Sequence, residues 1–170
     1  MKHLYFCRHG QSVLNQQGRL AGSTETPLTD DGRLQARLAG QSATDFGIDY
    51  IVCSPQSRAL ETAQIIAREL GYPETKLDIN SLVIERHFGA MEGHAWHPDL
   101  NLDGIIDAET VDSVIERARM TLKHLETVDA DTVLIVSHGS FGRALRHIIH
   151  PEIPFARVNR FENAQIVKLV

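Results

Sequence analysis

Residues 132–149 read TVLIVSHGSFGRALRHII. Thr132, Val133, Leu134, Ile135 and Val136 form an apolar, β-branched run, the pattern of a strand covered on both faces. Ser137, His138, Gly139 and Ser140 then break the run with polar and small residues. Phe141, Ala144, Leu145 and Ile148 recur at helical spacing, which predicts a helix from about 139 to 149. A doubly covered strand, a polar junction and a helix form the repeating unit of a parallel sheet.

The same alternation continues outward. Residues 2–7 and Tyr50–Cys53 read as strands, and residues 77–79 and 82–84 as weaker ones. Helices are expected over 30–43, over 55–70 (Ala59, Ala63, Ile66, Ala67 and Leu70 on one face), and over 110–126. In the last, Val111, Val114, Ile115, Ala118, Leu122 and Leu125 share a face. Two short strands near 157–161 and 165–169 complete the chain. The expected class is α/β with a mostly parallel central sheet flanked by helices.

The 170 residues are 42% hydrophobic and 23% charged, with a net charge of −5. This is ordinary globular usage in one domain's length, and it excludes intrinsic disorder. A mildly acidic chain is not expected to bind nucleic acid or anionic membranes, which call for basic patches. No apolar run reaches the ~20 residues of a membrane span. Arg8 and His9 cut short the apolar N-terminus, so no signal peptide is expected and the location is read as cytoplasmic. Two cysteines, Cys7 and Cys53, form no disulfide framework. They are expected as buried thiols, with a bridge open only if their strands are neighbours. Their nearness to polar loops also raises the question of redox control.

In a parallel sheet, ligands sit beyond the carboxyl ends of the strands. Three loops lie there. The first is Arg8-His9-Gly10-Gln11-Ser12 followed by Asn15, the second Ser54-Pro55-Gln56-Ser57-Arg58, and the third Ser137-His138-Gly139-Ser140. Together they supply two guanidiniums, two imidazoles and several hydroxyl or amide donors. Arginine's planar fork matches phosphate oxygens, and helix N-termini add N–H groups and a favourable dipole. Ser54 is expected as an N-cap with Pro55 in the first helical position, which sets Arg58 in the first turn. A neutral histidine in such a pocket can attack phosphorus or move protons. Glu85, ending the apolar stretch Leu82-Val83-Ile84, is the candidate proton donor, since a partly buried carboxyl holds its proton more readily than a solvated one.

These residues resemble the motifs of the histidine phosphatase superfamily, also called phosphoglycerate mutase-like. The likeness extends from Arg8-His9-Gly10 through GSTETPLTDDG (22–32), SPQSRALETA (54–63) and ERHFGAMEG (85–93) to VSHG (136–139). The resemblance implies a three-layer sandwich over residues 1–170, with a short lid insertion at about 93–109. It implies a phosphatase without metal or cofactor, in which His9 becomes phosphohistidine and Glu85 is the acid and then the base. Arg8, Arg58, His138, Asn15 and the Gly139 N–H would hold the phosphoryl group. The substrate would be a phosphorylated small molecule or a phosphoprotein, including protein phosphohistidine; the oligomeric state stays open. Mutase or phosphotransferase activity on the same site, and a silent phosphate-binding protein, are the alternatives.

Two departures bear on substrate. Ala21 and Glu25 stand where the family more usually has Thr and Asp. Residues 93–109 contain no lysine or arginine but carry Asp99, Asp103, Asp107 and Glu109. An acidic lid predicts hydrolysis rather than mutase chemistry and a leaving group that is neutral, cationic or too large to enter. His94 and His97 could share a metal only on a helix, and Pro98 argues for a plain lid with Trp96 packing it.

Overall fold

The computed structural model describes residues 1–97, 102, 104–156 and 160–170. In chain order the elements are β1 (His3–Arg8), α1 (Val13–Gln16), α2 (Asp30–Ser42), β2 (Tyr50–Cys53), α3 (Ser57–Glu69), β3 (Asp78–Ile79), α4 (Val111–Glu126), β4 (Thr132–Ser137), α5 (Gly139–Ile149) and β5 (Ile166–Lys168). The strands form one sheet in the order β3-β2-β4-β1-β5. All neighbours are parallel except β5, which runs antiparallel to β1.

The alternation of side chains along each strand builds the two outer layers. Leu4, Phe6, Val52, Val133 and Ile135 point to one face, where Val114, Ala118 and Leu125 of α4 and Phe141, Ala144 and Leu145 of α5 cover them. Cys7, Ile51, Cys53, Leu134 and Val136 point to the other, against Ala39 of α2 and Ala63, Ile66 and Ala67 of α3. Every residue of β4 is buried. The expected α/β/α arrangement is therefore present, and β4 is its centre. Among the described residues, no helix is long and apolar enough to cross a membrane.

Several local expectations are corrected. Residues 81–83 form a short 3-10 turn rather than a strand. Residues 157–159 lie outside the described residues, and Arg160 and Phe161 are not in a strand. Helix α3 begins at Ser57, with Gln56 as N-cap and no side-chain cap of its own. Ser54 is drawn away: its Oγ accepts from Gln56 N at 3.2 Å and lies 2.8 Å from His138 Nε2. The helix start is instead held by Glu25, whose carboxylate accepts from the Ser57 N–H at 2.9 Å and from the Ser57 hydroxyl.

Cys7 and Cys53 both pair with Val136, from opposite sides. Strand β4 thus separates them by two strand spacings, about 9–10 Å, beyond disulfide reach. Both thiols are fully buried, and burial pushes each up to about 12, so neither is poised for oxidation.

Close packing of α5 on β1 depends on Gly142. A Cβ there would meet the Phe6 ring, with Cε2 only 3.0 Å away. Phe6 is itself fully buried and lies 4.6 Å from the Phe161 ring, so it has nowhere to move. Gly142→Ala is expected to destabilise the protein by about 1–3 kcal/mol. A lowered urea midpoint at unchanged m-value is the readout; an unmoved midpoint would show that the helix shifts freely.

Candidate active site

Strands β2, β4 and β1 lie side by side, so their carboxyl ends deliver Ser54, His138 and His9 to one edge of the sheet. The bend after β1 is tight. The Gly10 N–H donates to Thr62 Oγ1 at 3.0 Å, and a Cβ on Gly10 would collide with the Gly32 backbone at the start of α2. Glycine at position 10 lets the loop press against α2 while turning His9 inward.

His9 is 3% exposed. Its Nδ1 lies 2.7 Å from the Gly10 carbonyl oxygen, which assigns the ring proton to Nδ1. Its Nε2 then carries the lone pair, and Arg58 Nε donates to it at 3.3 Å. Burial holds the imidazole well below the usual histidine range, and the Arg58 and Arg8 charges push it further down. The result is a neutral ring with a defined nucleophilic nitrogen.

Arg58, in the first turn of α3, is 1% exposed. Besides His9 it donates to the Gly22 carbonyl at 2.7 Å and the Thr24 carbonyl at 3.1 Å. Arg8 donates through NH1 to the Phe161 carbonyl at 3.0 Å, and its Nε is buried without a partner. His138 is fully buried, with its ring 5.1 Å from that of His9. Burial first, then Arg58, keeps it neutral. With Nε2 on Ser54 Oγ, its Nδ1 is buried and has no hydrogen-bond partner.

Glu85 sits at the N-terminus of α5. Its carboxylate accepts from Ser140 N at 3.0 Å, Phe141 N at 3.4 Å and Arg86 N at 2.9 Å. Asn15 closes a capping box on Ser12, so its Oδ1 is committed to Ser12 N and its Nδ2 remains as a donor.

Arg8, His9, Asn15, Arg58, Glu85 and Gly139 line a cleft of about 390 Å³. Six of the seven residues singled out from the sequence thus share one surface. The seventh, His138, lies a layer deeper against His9.

Other contributors were not singled out. Asn163, just before β5, lines the cleft and donates through Nδ2 to the His9 carbonyl at 2.8 Å. It is 154 residues away in sequence, so no local pattern marks it. Gln56 bridges the two halves of the site: its Nε2 donates to the Gly22 carbonyl at 2.8 Å, and its Oε1 accepts from Glu85 N at 2.9 Å.

Glu92 has the most contacts of these. Its carboxylate accepts from the backbone and hydroxyl groups of both Ser23 and Thr24, and from Phe88 N. Although burial opposes it, these donors hold the carboxyl below the usual range. Glu92 therefore fixes the loop whose carbonyls, Gly22 and Thr24, orient Arg58. The last Glu-Gly of the 85–93 motif was the signal for it. Glu92→Ala is expected to lower kcat/KM by about 10²-fold through misplacement of Arg58, without touching substrate. Steady-state assays check this, and restoration by Glu92→Gln would show that charge is not what matters.

Of the four acids expected in the lid at 93–109, two are among the described residues, Asp107 and Glu109. Glu109 is turned away onto Arg117, with Oε1 2.8 Å from Nε, and neither Asp107 nor Glu109 lines the cleft. Asp99, Asp103 and Pro98 lie outside the described residues. Arginines arrive from elsewhere: Arg19, Arg143 and Arg160 all line it. His94 and His97 do not share a helix, because Ala95 between them forms a bridge with Arg19. Trp96 lines the cleft and is 41% exposed.

The chain is similar to several known proteins. A family model described as the histidine phosphatase superfamily (branch 1) matches residues 4–170. An acid phosphatase of Mycobacterium tuberculosis is 33% identical, covering 93% of this chain and 80% of its own length. A probable phosphoglycerate mutase, GpmB, of Citrobacter koseri is 34% identical over 82% of this chain and 70% of its own. The structure of the mycobacterial glucosyl-3-phosphoglycerate phosphatase superimposes with a TM-score of 0.84 at 23% identity, covering 99% of this chain and 90% of the other.

Proposed function

This chain belongs to the histidine phosphatase superfamily, and we propose that it is a phosphatase hydrolysing phosphomonoesters through a phosphohistidine on His9. The observation that carries the reading is the neutral, buried His9 ring, with Nδ1 tied to Gly10 and the Nε2 lone pair facing a guanidinium.

A phosphate oxygen entering the cleft takes the Arg58 Nε–H now spent on His9, which frees the lone pair. His9 Nε2 then forms a bond to phosphorus as the ester P–O bond breaks, and Glu85 gives its proton to the leaving oxygen. In the second half, Glu85 takes a proton from water, the new oxygen bonds to phosphorus, and His9 Nε2 leaves. Arg8 and Arg58 stabilise the charge spread over the phosphoryl oxygens. The Arg8 Nε and His138 Nδ1, both buried without partners, are donors waiting for an acceptor. Asn15 Nδ2 and the Gly139 N–H complete the cradle. Guanidinium charge does the neutralising here, so no metal ion is assigned. Residues 93–109 are read as a short lid, and Trp96 as its wall over the cleft. The substrate is read as a phosphorylated small molecule, the class to which the compound in the glucosyl-3-phosphoglycerate phosphatase's name belongs.

The acid–base role of Glu85 is tested by leaving-group dependence. Glu85→Gln is expected to slow alkyl phosphate hydrolysis by about 10²–10⁴-fold. With nitrophenyl phosphate, whose leaving group needs no proton, the variant should show a stoichiometric burst followed by slow turnover. Equal losses in burst and steady state for both substrates would remove Glu85 from the mechanism.

A further inference from the structure

Glu85 lies where no helix or strand supports the chain: residues 84–87 follow the 3-10 turn at 81–83 and belong to no regular element. The backbone carbonyls of this stretch still need donors. Side chains supply them. Arg117, on α4, donates through NH1 to the Leu82 carbonyl at 2.8 Å and the Ile84 carbonyl at 3.0 Å, and through NH2 to the Glu85 carbonyl at 3.4 Å. The Ser137 hydroxyl donates to the Val83 carbonyl at 2.6 Å. One guanidinium therefore holds the main chain on both sides of Val83 and up to Glu85 itself.

Arg117 is in turn fixed by Glu109. Its Nε lies 2.8 Å from Oε1 and its NH2 2.8 Å from Oε2, a bidentate pair whose side chains are 16% and 15% exposed. Ser113 Oγ also donates to Glu109 Oε1, at 2.9 Å. Although burial opposes it, these donors hold the Glu109 carboxyl below its usual range, so the pair is ionised. The Glu109 backbone joins the same unit: its carbonyl accepts from Arg86 Nε at 2.7 Å, and its N–H donates to the His87 carbonyl at 2.9 Å. Arg117 does not line the cleft, so it reaches the reaction only through the residues it holds. The N–H groups of α5 fix the Glu85 carboxyl, and Arg117 fixes the chain that bears it.

We propose that Arg117, oriented by Glu109, is a positioning residue for Glu85, holding its main chain at the point from which the carboxyl reaches the leaving oxygen. This rests on the assignment of Glu85 as proton donor in the phosphatase reading above. A proton donor works only within hydrogen-bond reach of the oxygen it protonates. The planar fork of a guanidinium serves a carboxylate and several carbonyls together, which a single ammonium does not.

The test is the ratio of kcat/KM for propyl phosphate to kcat/KM for nitrophenyl phosphate, in wild type, Arg117→Gln, Glu85→Gln and the double variant. For both esters kcat/KM covers the steps up to the phosphohistidine, and only the propyl leaving group needs a proton there. Misplacement of Glu85 is expected to lower the ratio by about 10–10²-fold in Arg117→Gln. With Glu85→Gln already in place, Arg117→Gln should leave the ratio where it stands, because the group it positions is gone. A general loss of folded enzyme lowers both rates and does not move the ratio. An unchanged ratio in Arg117→Gln overturns the proposal. So does a fall of equal size in both backgrounds, which would mean that Arg117 acts without Glu85. Arg117→Lys keeps the charge facing Glu109 and covers the case in which Arg117→Gln does not fold. Its ratio should fall in the same direction, and an unchanged one overturns the proposal equally. A wild-type ratio in Glu85→Gln itself removes Glu85 as proton donor, and the positioning role with it, while leaving the phosphohistidine reading standing. No turnover of nitrophenyl phosphate by wild type removes all of them.

Discussion

His9→Ala is expected to lower aryl phosphate hydrolysis by at least about 10⁴-fold, the scale on which removal of a covalent nucleophile acts. The loss follows from the ring's setting. Nδ1–H on Gly10 leaves Nε2 as the nitrogen with a lone pair available for phosphorus, beside the Arg58 guanidinium. The assay is run in excess chelator, with wild type alongside. Wild-type enzyme quenched during turnover should carry acid-labile phosphate on one histidine, and the variant none. Appreciable turnover by His9→Ala would show that water attacks the ester directly and would end the covalent reading. Folding of the variant is checked by its urea midpoint, since the imidazole is buried.

The second large effect is expected for Arg58→Gln. An arginine stabilising a phosphoryl transition state is worth about 10³–10⁵-fold in kcat. The pH dependence distinguishes this from simple loss of packing. Burial is the main cause of the depressed His9 basicity, and the Arg58 charge is next. His9 attacks only when neutral, so activity is lost as pH falls through its folded value. Removing the cation raises that value, and the acid limb of the kcat/KM profile must move upward, towards neutral pH. A profile displaced downward, or unmoved, would show that Arg58 does not act on His9 through its charge.

Much of the scaffold was legible because strand and helix periodicity are local properties. The β4 run Thr132–Val136 predicted a doubly covered strand, and both faces of the sheet are covered by helices. The inward positions of α3, α4 and α5 were read from spacing alone, since a residue's face depends only on its neighbours at three and four positions. The helix start at Ser54 was misplaced for the opposite reason. A serine before a proline is a good local cap, but two distant groups, His138 and Glu25, compete for Ser54 and Ser57 and win.

The candidate site divides the same way. His9, Arg58, His138 and Glu85 were found by residue type at strand ends and by resemblance. Asn163, Gln56 and Glu92 act through hydrogen bonds to backbone groups at separations of 154, 34 and up to 69 residues, and such bonds leave no periodic trace. The arginines lining the cleft could not be read from residues 93–109, because a segment's own composition does not say which way its side chains turn or what other segments bring.

What the sequence by itself determined is the α/β class, the layered core and the set of groups able to do phosphoryl chemistry. These follow from short-range pattern and functional-group identity. The tertiary structure alone decided which nitrogen of His9 carries the lone pair, that its ring is neutral, and that Arg19, Arg143 and Arg160 join Arg8 and Arg58 in lining the cleft. Those properties arise from burial and from fields summed over contacts between segments far apart in the chain.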